Sequence, residues 1–281
     1  MAVATPQDVA VTPRDLHFSM EGASDRAWLG GDPVGTAVFN ALSLTFPDGE
    51  RLFMDAVRNY RPQLTGKLLA DANAFITQEA IHSREHVGLN GALDRNRYPV
   101  AEIEDELKQR MVLARGRGPI AMLSITIALE HFTAMMADRF LEDPEIFAGA
   151  PEDMVRLWQW HAMEETEHKG VAFDVFQEIS KDWSPLTRYR VRARVMLLIT
   201  LMFTRNITRF AAKLLIADGM KPLKAYTKVL GYLFGKPGLF RKSWGAYFDW
   251  FRPNFHPWDH DNRAALEAWR EAFTPAKPVA A

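Results

Sequence analysis

The chain has 281 residues, of which 48% are hydrophobic and 25% are charged, and its formal net charge at pH 7 is −1. These values are typical of a folded protein with one large domain or two small ones, and they argue against disorder. The balanced charge gives no reason to expect a nucleic-acid partner. Because the chain has no cysteine, disulfides, Cys-based zinc sites and Fe–S clusters are excluded, and any metal must be held by His, Glu and Asp.

The N-terminal residues contain no basic stretch followed by an apolar core, so we expect no secretory signal. The longest strongly apolar run covers residues 195–203. It is too short to cross a bilayer, which needs about 20 residues. We therefore expect a cytoplasmic protein.

Apolar residues recur with helical spacing along most of the chain, and no segment alternates with period two for long enough to predict a strand. Residues 1–30 are expected to be irregular and to end in the turn signal LGGDPVG. The pattern predicts an all-α protein. The predicted helices cover about residues 38–59, with an interruption and restart at Pro47, and then 66–92, 101–115, 120–141, 153–180, 191–217, 223–234 and 263–273.

Two segments, QEAIHSREH and WHAMEETEH, each contain a Glu-x-x-His step. Residues three and four apart share one face of a helix, so Glu79 points the same way as His82, and Glu165 the same way as His168. Apolar residues occupy the same faces, which we therefore expect to point inward, where charged groups are costly unless they are compensated. Further candidates on these faces are His86, His161 and Glu164.

A pair of divalent metal ions would remove the repulsion between two facing carboxylate clusters. Di-iron carboxylate bundles take a lone Glu from each of two helices and a Glu-x-x-His step from each of two others. Here Glu50 is the only glutamate between residues 22 and 78, and Glu130 interrupts an otherwise apolar helix. The chain order that results is Glu50, Glu79 with His82, Glu130, and Glu165 with His168.

The segments FPDGE, QEAIHSREH, ALEHFTA, WHAMEETEHKGVAFDVF and FRPNFHPWD together resemble a bacterial family catalogued as predicted metal-dependent hydrolases, over about residues 15–259. The ligand order also resembles that of the ferritin-like di-iron enzymes. The step from His161 to Glu165 and His168 is similar to the three-histidine site of the p-aminobenzoate N-oxygenase family, which implies that His161 is an additional ligand to one iron.

These resemblances imply a ferritin-like four-helix bundle with a di-metal site over residues 31–185. Residues 186–281 are expected to form additional helices that pack on the bundle within a single domain. Glu79 and Glu165 are the expected bridging ligands. His86 and Glu164 are expected either to bind metal or to orient a ligand, and buried salt bridges are the alternative for the whole set. The predicted metal ligands, beyond which we predict no catalytic residue, are Glu50, Glu79, His82, Glu130, His161, Glu165 and His168.

If such a site holds two iron ions, we expect the protein to be a non-haem di-iron oxygenase or oxidase. It would use O₂ and an electron donor to oxidise a hydrophobic small molecule, lipid-like or an aromatic amine. The alternative is a di-metal hydrolase of an ester, amide or phosphate, for which manganese or zinc would also serve. Residues 186–250 combine arginines and lysines with apolar neighbours. Two interpretations stay open: peripheral contact with the inner face of the membrane, or a helical hairpin that packs on the core and exposes a basic face. A homodimer is also left open.

Overall fold

The structure is a computed structural model that describes residues 4–236 and 238–273, and within these ranges it is all-helical, which confirms the predicted fold class. Outside the described residues lie 1–3, from the predicted irregular N-terminal segment, and 237 and 274–281, from the predicted C-terminal extension. The α-helices are α1 (Pro33–Arg58), α2 (Gly66–Gly91), α3 (Val100–Arg115), α4 (Pro119–Glu142), α5 (Glu152–His168), α6 (Val171–Ile179), α7 (Pro185–Ala217), α8 (Pro222–Phe234), α9 (Trp244–Asp249) and α10 (Arg263–Ala272).

Helices α1, α2, α4 and α5 form the bundle that positions the candidate site. Short connections make α1–α2 and α4–α5 antiparallel hairpins, and α3 crosses from one hairpin to the other. The rings of Phe39, Phe140 and Trp158, from α1, α4 and α5, lie with their centroids 4.8 to 5.9 Å apart. Aromatic packing of this kind fixes the helices relative to one another. Helix α7 covers the bundle by packing on α1 and α4.

Two helices begin earlier than the apolar pattern predicts, α1 at Pro33 and α7 at Pro185. In each case the preceding residue caps the helix: Asp32 accepts a backbone N–H at 2.8 Å, and Ser184 accepts one at 3.1 Å. The proline then occupies the first helical position, where a missing N–H costs nothing. Capping residues and proline therefore set these two starts.

Helix α1 runs unbroken through Pro47, whereas the sequence predicts a restart there. Proline has no N–H, so the carbonyl of Ser43, four residues earlier, loses its helical donor. That carbonyl accepts instead from Asn90 Nδ2 of α2 at 3.0 Å. The neighbouring helix thus supplies the donor that proline lacks, and α1 continues.

The single helix predicted over residues 153–180 is in fact two, α5 and α6, which separate at Lys169 and Gly170. A Cβ on Gly170 would lie 2.3 Å from Thr5 Oγ1 and 2.9 Å from Trp258. Lys169 Nζ lies 4.1 Å from the ring centroid of Trp258. The segments around Thr5 and Trp258, which are far apart in the sequence, therefore meet at this break through contacts that local periodicity does not contain.

Two helices, α4 and α7, are long and apolar enough to cross a membrane by length and composition. The apolar window of α4 is 78% buried, as expected for a core helix, but that of α7 is only 39% buried. The apolar segment of α7 is therefore longer than the run 195–203, from whose length we expect no membrane crossing. Only part of the segment is covered by the bundle.

Candidate metal centre

The bundle brings all seven predicted ligands into one buried cluster. Each of the seven residues is at most 4% exposed. Four helices contribute them, so the cluster forms only when the two hairpins pack together. The contributions are Glu50 from α1, Glu79 and His82 from α2, Glu130 from α4, and His161, Glu165 and His168 from α5.

Glu165 lies between two sets of donors. Its Oε1 is 2.9 Å from His161 Nε2 and 3.7 Å from His82 Nδ1. Its Oε2 is 3.5 Å from His168 Nε2. The two oxygens of one carboxylate thus face different histidines, which is the arrangement that a bridging ligand requires.

Glu79 also belongs to both sides of the cluster. Ligand atoms of Glu50, Glu79 and His82 lie within 4.8 Å of one another, and so do ligand atoms of Glu79, Glu165 and His168. Glu79 Oε1 is 3.3 Å from His168 Nε2. Two metal positions that share Glu79 and Glu165 would account for both groups.

The two lone glutamates lie with different histidines. Glu50 Oε1 is 3.9 Å from His161 Nε2. Glu130 Oε2 is 3.5 Å from His168 Nε2. Each lone glutamate would therefore serve one of the two metal positions.

Nine buried side-chain atoms of the cluster have no hydrogen-bond partner among the described residues. Buried polar atoms rarely stay unpartnered, because each one costs about 1–3 kcal/mol. All nine are carboxylate oxygens or imidazole nitrogens, which are donor atoms that divalent iron, manganese and zinc take. The residues present therefore fit a pair of such cations. The atoms are both oxygens of Glu50, Glu79 and Glu130, Oε2 of Glu165, Nδ1 of His82 and Nε2 of His168.

The carboxylates of the cluster have strongly shifted pKa values. Burial raises the pKa of Glu50, Glu79 and Glu130 well above the ordinary value, and neighbouring carboxylates add to the effect. Burial acts in the same direction on Glu165, but the adjacent His168 and a histidine hydrogen bond outweigh it and hold the pKa of Glu165 well below the ordinary value. Without cations the cluster can relieve its repulsion only by holding protons, which cations would replace.

The outer nitrogen of His82 is paired with Glu164. His82 Nε2 lies 3.0 Å from Glu164 Oε2, and Glu164 Oε1 accepts the backbone N–H and Nη1 of Arg14, both at 3.1 Å. Burial and then Glu167 raise the pKa of Glu164, and Arg14 counteracts them. Burial, with His161, lowers the pKa of His82 well below its ordinary value, so the ring is neutral. When Glu164 is ionised it accepts from His82 Nε2, and Nδ1 is then the lone-pair nitrogen that faces the cluster, where it has no hydrogen-bond partner.

Gln78 orients His168 in the same way. The Gln78 amide donates through Nε2 to Glu167 Oε2 at 2.9 Å and to the carbonyl of Thr12 at 3.2 Å. These bonds fix the amide orientation, so Gln78 Oε1 accepts from His168 Nδ1 at 3.0 Å. His168 Nε2 is left with a lone pair directed at the carboxylates.

A chain of hydrogen bonds sets the orientation of His161. Asn90 donates to the Ser43 carbonyl, so its Oδ1 accepts the Ser43 hydroxyl at 2.7 Å. Ser43 Oγ then accepts from His86 Nδ1 at 2.9 Å, and His86 Nε2 accepts from His161 Nδ1 at 2.7 Å. His161 Nε2 is left with a lone pair only 2.9 Å from Glu165 Oε1. An extra proton or a shared cation is needed between these two atoms.

His86 uses both ring nitrogens in this chain, although ligand atoms of Glu50, His86 and His161 also lie within 4.8 Å of one another. The geometry thus favours the orienting role for His86 over metal binding. The same holds for Glu164, which contacts His82 from outside the cluster.

The surrounding residues carry no motif that would single them out in the sequence. Arg14 lies in a segment expected to be irregular, yet it is buried beneath α5 against Glu164. Ser43 and Asn90 look like ordinary helix residues. The one available signal is Pro47, since a proline within a helix frees the carbonyl four residues earlier.

An apolar cavity of about 490 Å³ lies between α1, α3, α4 and α7 and reaches the cluster at Glu50. Phe46 and Thr133 line this cavity, and they also line a small one of about 10 Å³ beside His161 and Glu165. The larger volume is within the usual range for a small-molecule site. The candidate centre therefore adjoins a space suited to an apolar molecule.

No curated protein and no solved structure matches the chain significantly. The resemblance to ferritin-like di-iron enzymes and to the p-aminobenzoate N-oxygenases thus stays a prediction. A family model described as "predicted metal-dependent hydrolase" matches residues 12–261, which is most of the chain. The chain therefore belongs to this family, as the sequence motifs predict.

Proposed function

We propose that the chain is a di-metal oxidoreductase, a di-iron oxygenase or oxidase that acts on an apolar small molecule. The observation that carries the proposal is the set of nine buried, unpartnered donor atoms around two positions that share Glu79 and Glu165. Carboxylate and imidazole donors without sulfur suit iron or manganese. The proposed ligands are Glu50, His82 and His161 for one metal, Glu130 and His168 for the other, and Glu79 and Glu165 for both.

When bound, two iron ions would supply the electrons that O₂ reduction requires, and an external reductant would restore them. The task of the protein is to hold neutral imidazoles with fixed lone pairs and to keep water out. An aromatic ring packs edge-on or nearly so against each proposed histidine ligand, which excludes water from that side. The pairs of ring centroids are Phe46 and His161 at 5.0 Å, Trp160 and His82 at 4.8 Å, and Phe75 and His168 at 4.8 Å.

The cavity wall supports oxidation of an apolar molecule more than hydrolysis of a polar one. The hydroxyls of Thr45, Ser124 and Thr133 line the cavity, but each donates to a backbone carbonyl of its own helix. These hydroxyls therefore offer no free donor to an ester carbonyl or a phosphate. Leu129, Ile199 and other apolar side chains make up most of the remaining wall, and its other polar side chains are Glu50, Arg110, Arg117 and Asn206.

The description of the family favours a second candidate, a di-metal hydrolase of an ester, amide or phosphate. The same ligands would hold zinc or manganese. Such a pair lowers the pKa of a bound water and needs no redox change.

Metal substitution separates the two candidates. The full chain is loaded without oxygen with Fe(II), and in parallel with Zn(II) or Mn(II). The oxidoreductase predicts that the iron form consumes O₂ and changes its visible spectrum when O₂ is admitted, and that the Glu165→Gln variant does neither. Turnover of ester or phosphate substrates by the zinc or manganese form, with no O₂ consumption by the iron form, would overturn it and favour the hydrolase.

A further inference from the structure

Exposed apolar side chains are concentrated on one part of the surface. Among the described residues, thirteen large hydrophobic side chains are exposed, and ten of them lie between residues 186 and 248. On α7, Leu197 and Leu201 are 58% and 68% exposed, and they lie with Leu198 and Met202 within a sector of about 140°. An apolar stripe of this kind marks a surface that contacts a partner.

Helix α9 extends the stripe sideways. The Tyr247 hydroxyl and Thr200 Oγ1 are 3.1 Å apart, which holds α9 against the middle of α7. Trp244 and Phe248 of α9 are exposed and stack with their ring centroids 6.0 Å apart. The α7–α9 patch is defined as Leu197, Leu198, Leu201, Met202, Trp244 and Phe248.

The patch lies in a strongly basic part of the chain. Residues 183–248 contain thirteen lysines and arginines but a single acidic residue, Asp218. The net charge of −1 therefore conceals a basic region within an otherwise acidic chain. Arg209 and Lys213 pair with carboxylates of α3. Eight others are exposed and form no ion pair in the part of the chain that the structure describes: Arg190, Arg194, Arg205, Lys221, Lys224, Lys228, Lys236 and Arg241.

The apolar cavity opens beside the same patch. Leu198 and Met202 belong to the patch and also line the cavity, together with Leu113 of α3, which is 69% exposed. The inner end of the cavity reaches Glu50. A single apolar route thus runs from the patch to the candidate metal centre.

We propose that the α7–α9 patch docks on the surface of an anionic lipid bilayer, so that acyl chains can enter the cavity from the membrane. The unpaired arginines and lysines attract anionic headgroups, the leucines enter the acyl region, and Trp244 lies at the interface. The opposite face of α7 packs on α1 and α4, so the helix lies along the bilayer and does not cross it. The acyl-chain substrate class rests on the proposed function, whereas docking does not.

Vesicle binding of the full chain tests the docking. The probes are vesicles of phosphatidylcholine alone and vesicles with about 30% phosphatidylglycerol, followed by flotation. We expect binding to the anionic vesicles and release by high salt. The Leu197→Glu/Leu201→Glu variant should bind at least about tenfold more weakly, and Arg194→Glu/Arg205→Glu should lose about fivefold or more per arginine. Val87→Glu on α2, at a position that is 49% exposed, is the matched control and should bind as the wild type does.

Three results would overturn the proposal. The first is no binding to anionic vesicles at low salt. The second is equal binding by the wild type and Leu197→Glu/Leu201→Glu. The third is a wild-type dimer that becomes a monomer in that variant and binds no vesicles, which would make the patch an interface between two copies of the chain.

Trp244 gives an independent reading of insertion. Of the eight tryptophans, Trp244 is the exposed one, and the other seven are buried or half-buried. Brominated acyl chains should therefore quench the wild type and quench Trp244→Phe much less. Equal quenching of the two proteins would count against insertion. The Glu165→Gln variant should bind vesicles like the wild type, so a failure of the metal centre would leave this test unaffected.

Discussion

At the scale of single residues, the candidate centre depends on which ring nitrogen of each histidine carries the hydrogen. A different acceptor occupies the outer nitrogen in each case: Glu164 for His82, Gln78 for His168, and His86 for His161. The acceptors direct three lone pairs at the carboxylates. Partners of this kind govern both ligand basicity and metal affinity.

His86 provides the clearest test of this arrangement. In His86→Phe, His161 Nδ1 loses its acceptor, so we expect the affinity for Fe(II) or Mn(II) to fall about 10- to 100-fold. In His86→Gln, a carbonyl can still accept the hydrogen, and most of the affinity should be retained. Competition with a chelator measures both affinities, and thermal unfolding checks the fold. Equal losses in the two variants would indicate that His86 binds the metal directly.

Glu130 distinguishes a metal centre from a structural network. Both of its oxygens are buried without a partner, and burial, then Glu165, raises its pKa. Glu130→Gln removes the cost of burying a carboxyl group that must either stay charged or take up a proton, so the metal-free variant should be more stable than the metal-free wild type by about 1–3 kcal/mol. With metal bound, the order should reverse. Urea unfolding with and without chelator measures both differences. A metal-free variant that is less stable than the wild type would favour a structural hydrogen-bond network.

Residue types and spacing are enough to predict the seven candidate ligands, because helical periodicity alone puts each carboxylate and imidazole on an inward face. The residues that orient them cannot be predicted in this way. Ser43 and Asn90 meet across two helices, and Arg14 reaches Glu164 from a segment without regular structure. Contacts between distant parts of the chain leave no local pattern.

At the scale of elements too, local patterns can be predicted from the sequence, whereas the effects of distant segments cannot. The predicted extents of α2, α3, α4 and α8 agree with the structure to within a residue or so, because each has a clear apolar period and a turn signal at its ends. The restart at Pro47 and the continuous helix at Gly170 are wrong for one reason. In both places another segment of the chain, Asn90 in one and Trp258 in the other, determines the outcome.

Helix α3 is tied to α7 by Glu106, and this link should be sensitive to acid. Arg209 Nη1 lies 2.6 Å from Glu106 Oε1. Partial burial acts to raise the pKa of Glu106, but hydrogen bonds from Arg110 and Arg209 outweigh it and lower the pKa to about 2. A carboxylate with a depressed pKa stabilises the fold above its ordinary pKa, and this stabilisation is lost as the pH falls towards 2.

Glu106→Gln should therefore lower the free energy of unfolding by about 1 kcal/mol at pH 7. The difference from the wild type should shrink between about pH 5 and pH 2. Urea unfolding of the metal-free proteins at several pH values measures it. Glu102→Gln on the same helix is the control, because its side chain is 66% exposed and its pair with Lys213 is weak. A pH-independent difference for Glu106→Gln would contradict the expected role.

At the scale of the whole molecule, the bundle holds the candidate centre, α7 covers it, and the cavity lies between them. The all-α class and the family follow from the sequence, since both rest on long periodic segments and continuous motifs. The position of the cavity and of the α7–α9 patch does not follow from it. Both depend on which face of α7 the bundle leaves uncovered, and this is decided by packing.

Metal stoichiometry tests the central claim most directly. The full chain and its Glu165→Gln variant are loaded with Fe(II) in parallel, desalted, and analysed for bound metal per chain. Two positions that share Glu165 predict about two irons per chain in the wild type and far less than one in the variant. A single bound iron in the wild type, or an unchanged content in the variant, would contradict a dinuclear centre bridged by Glu165.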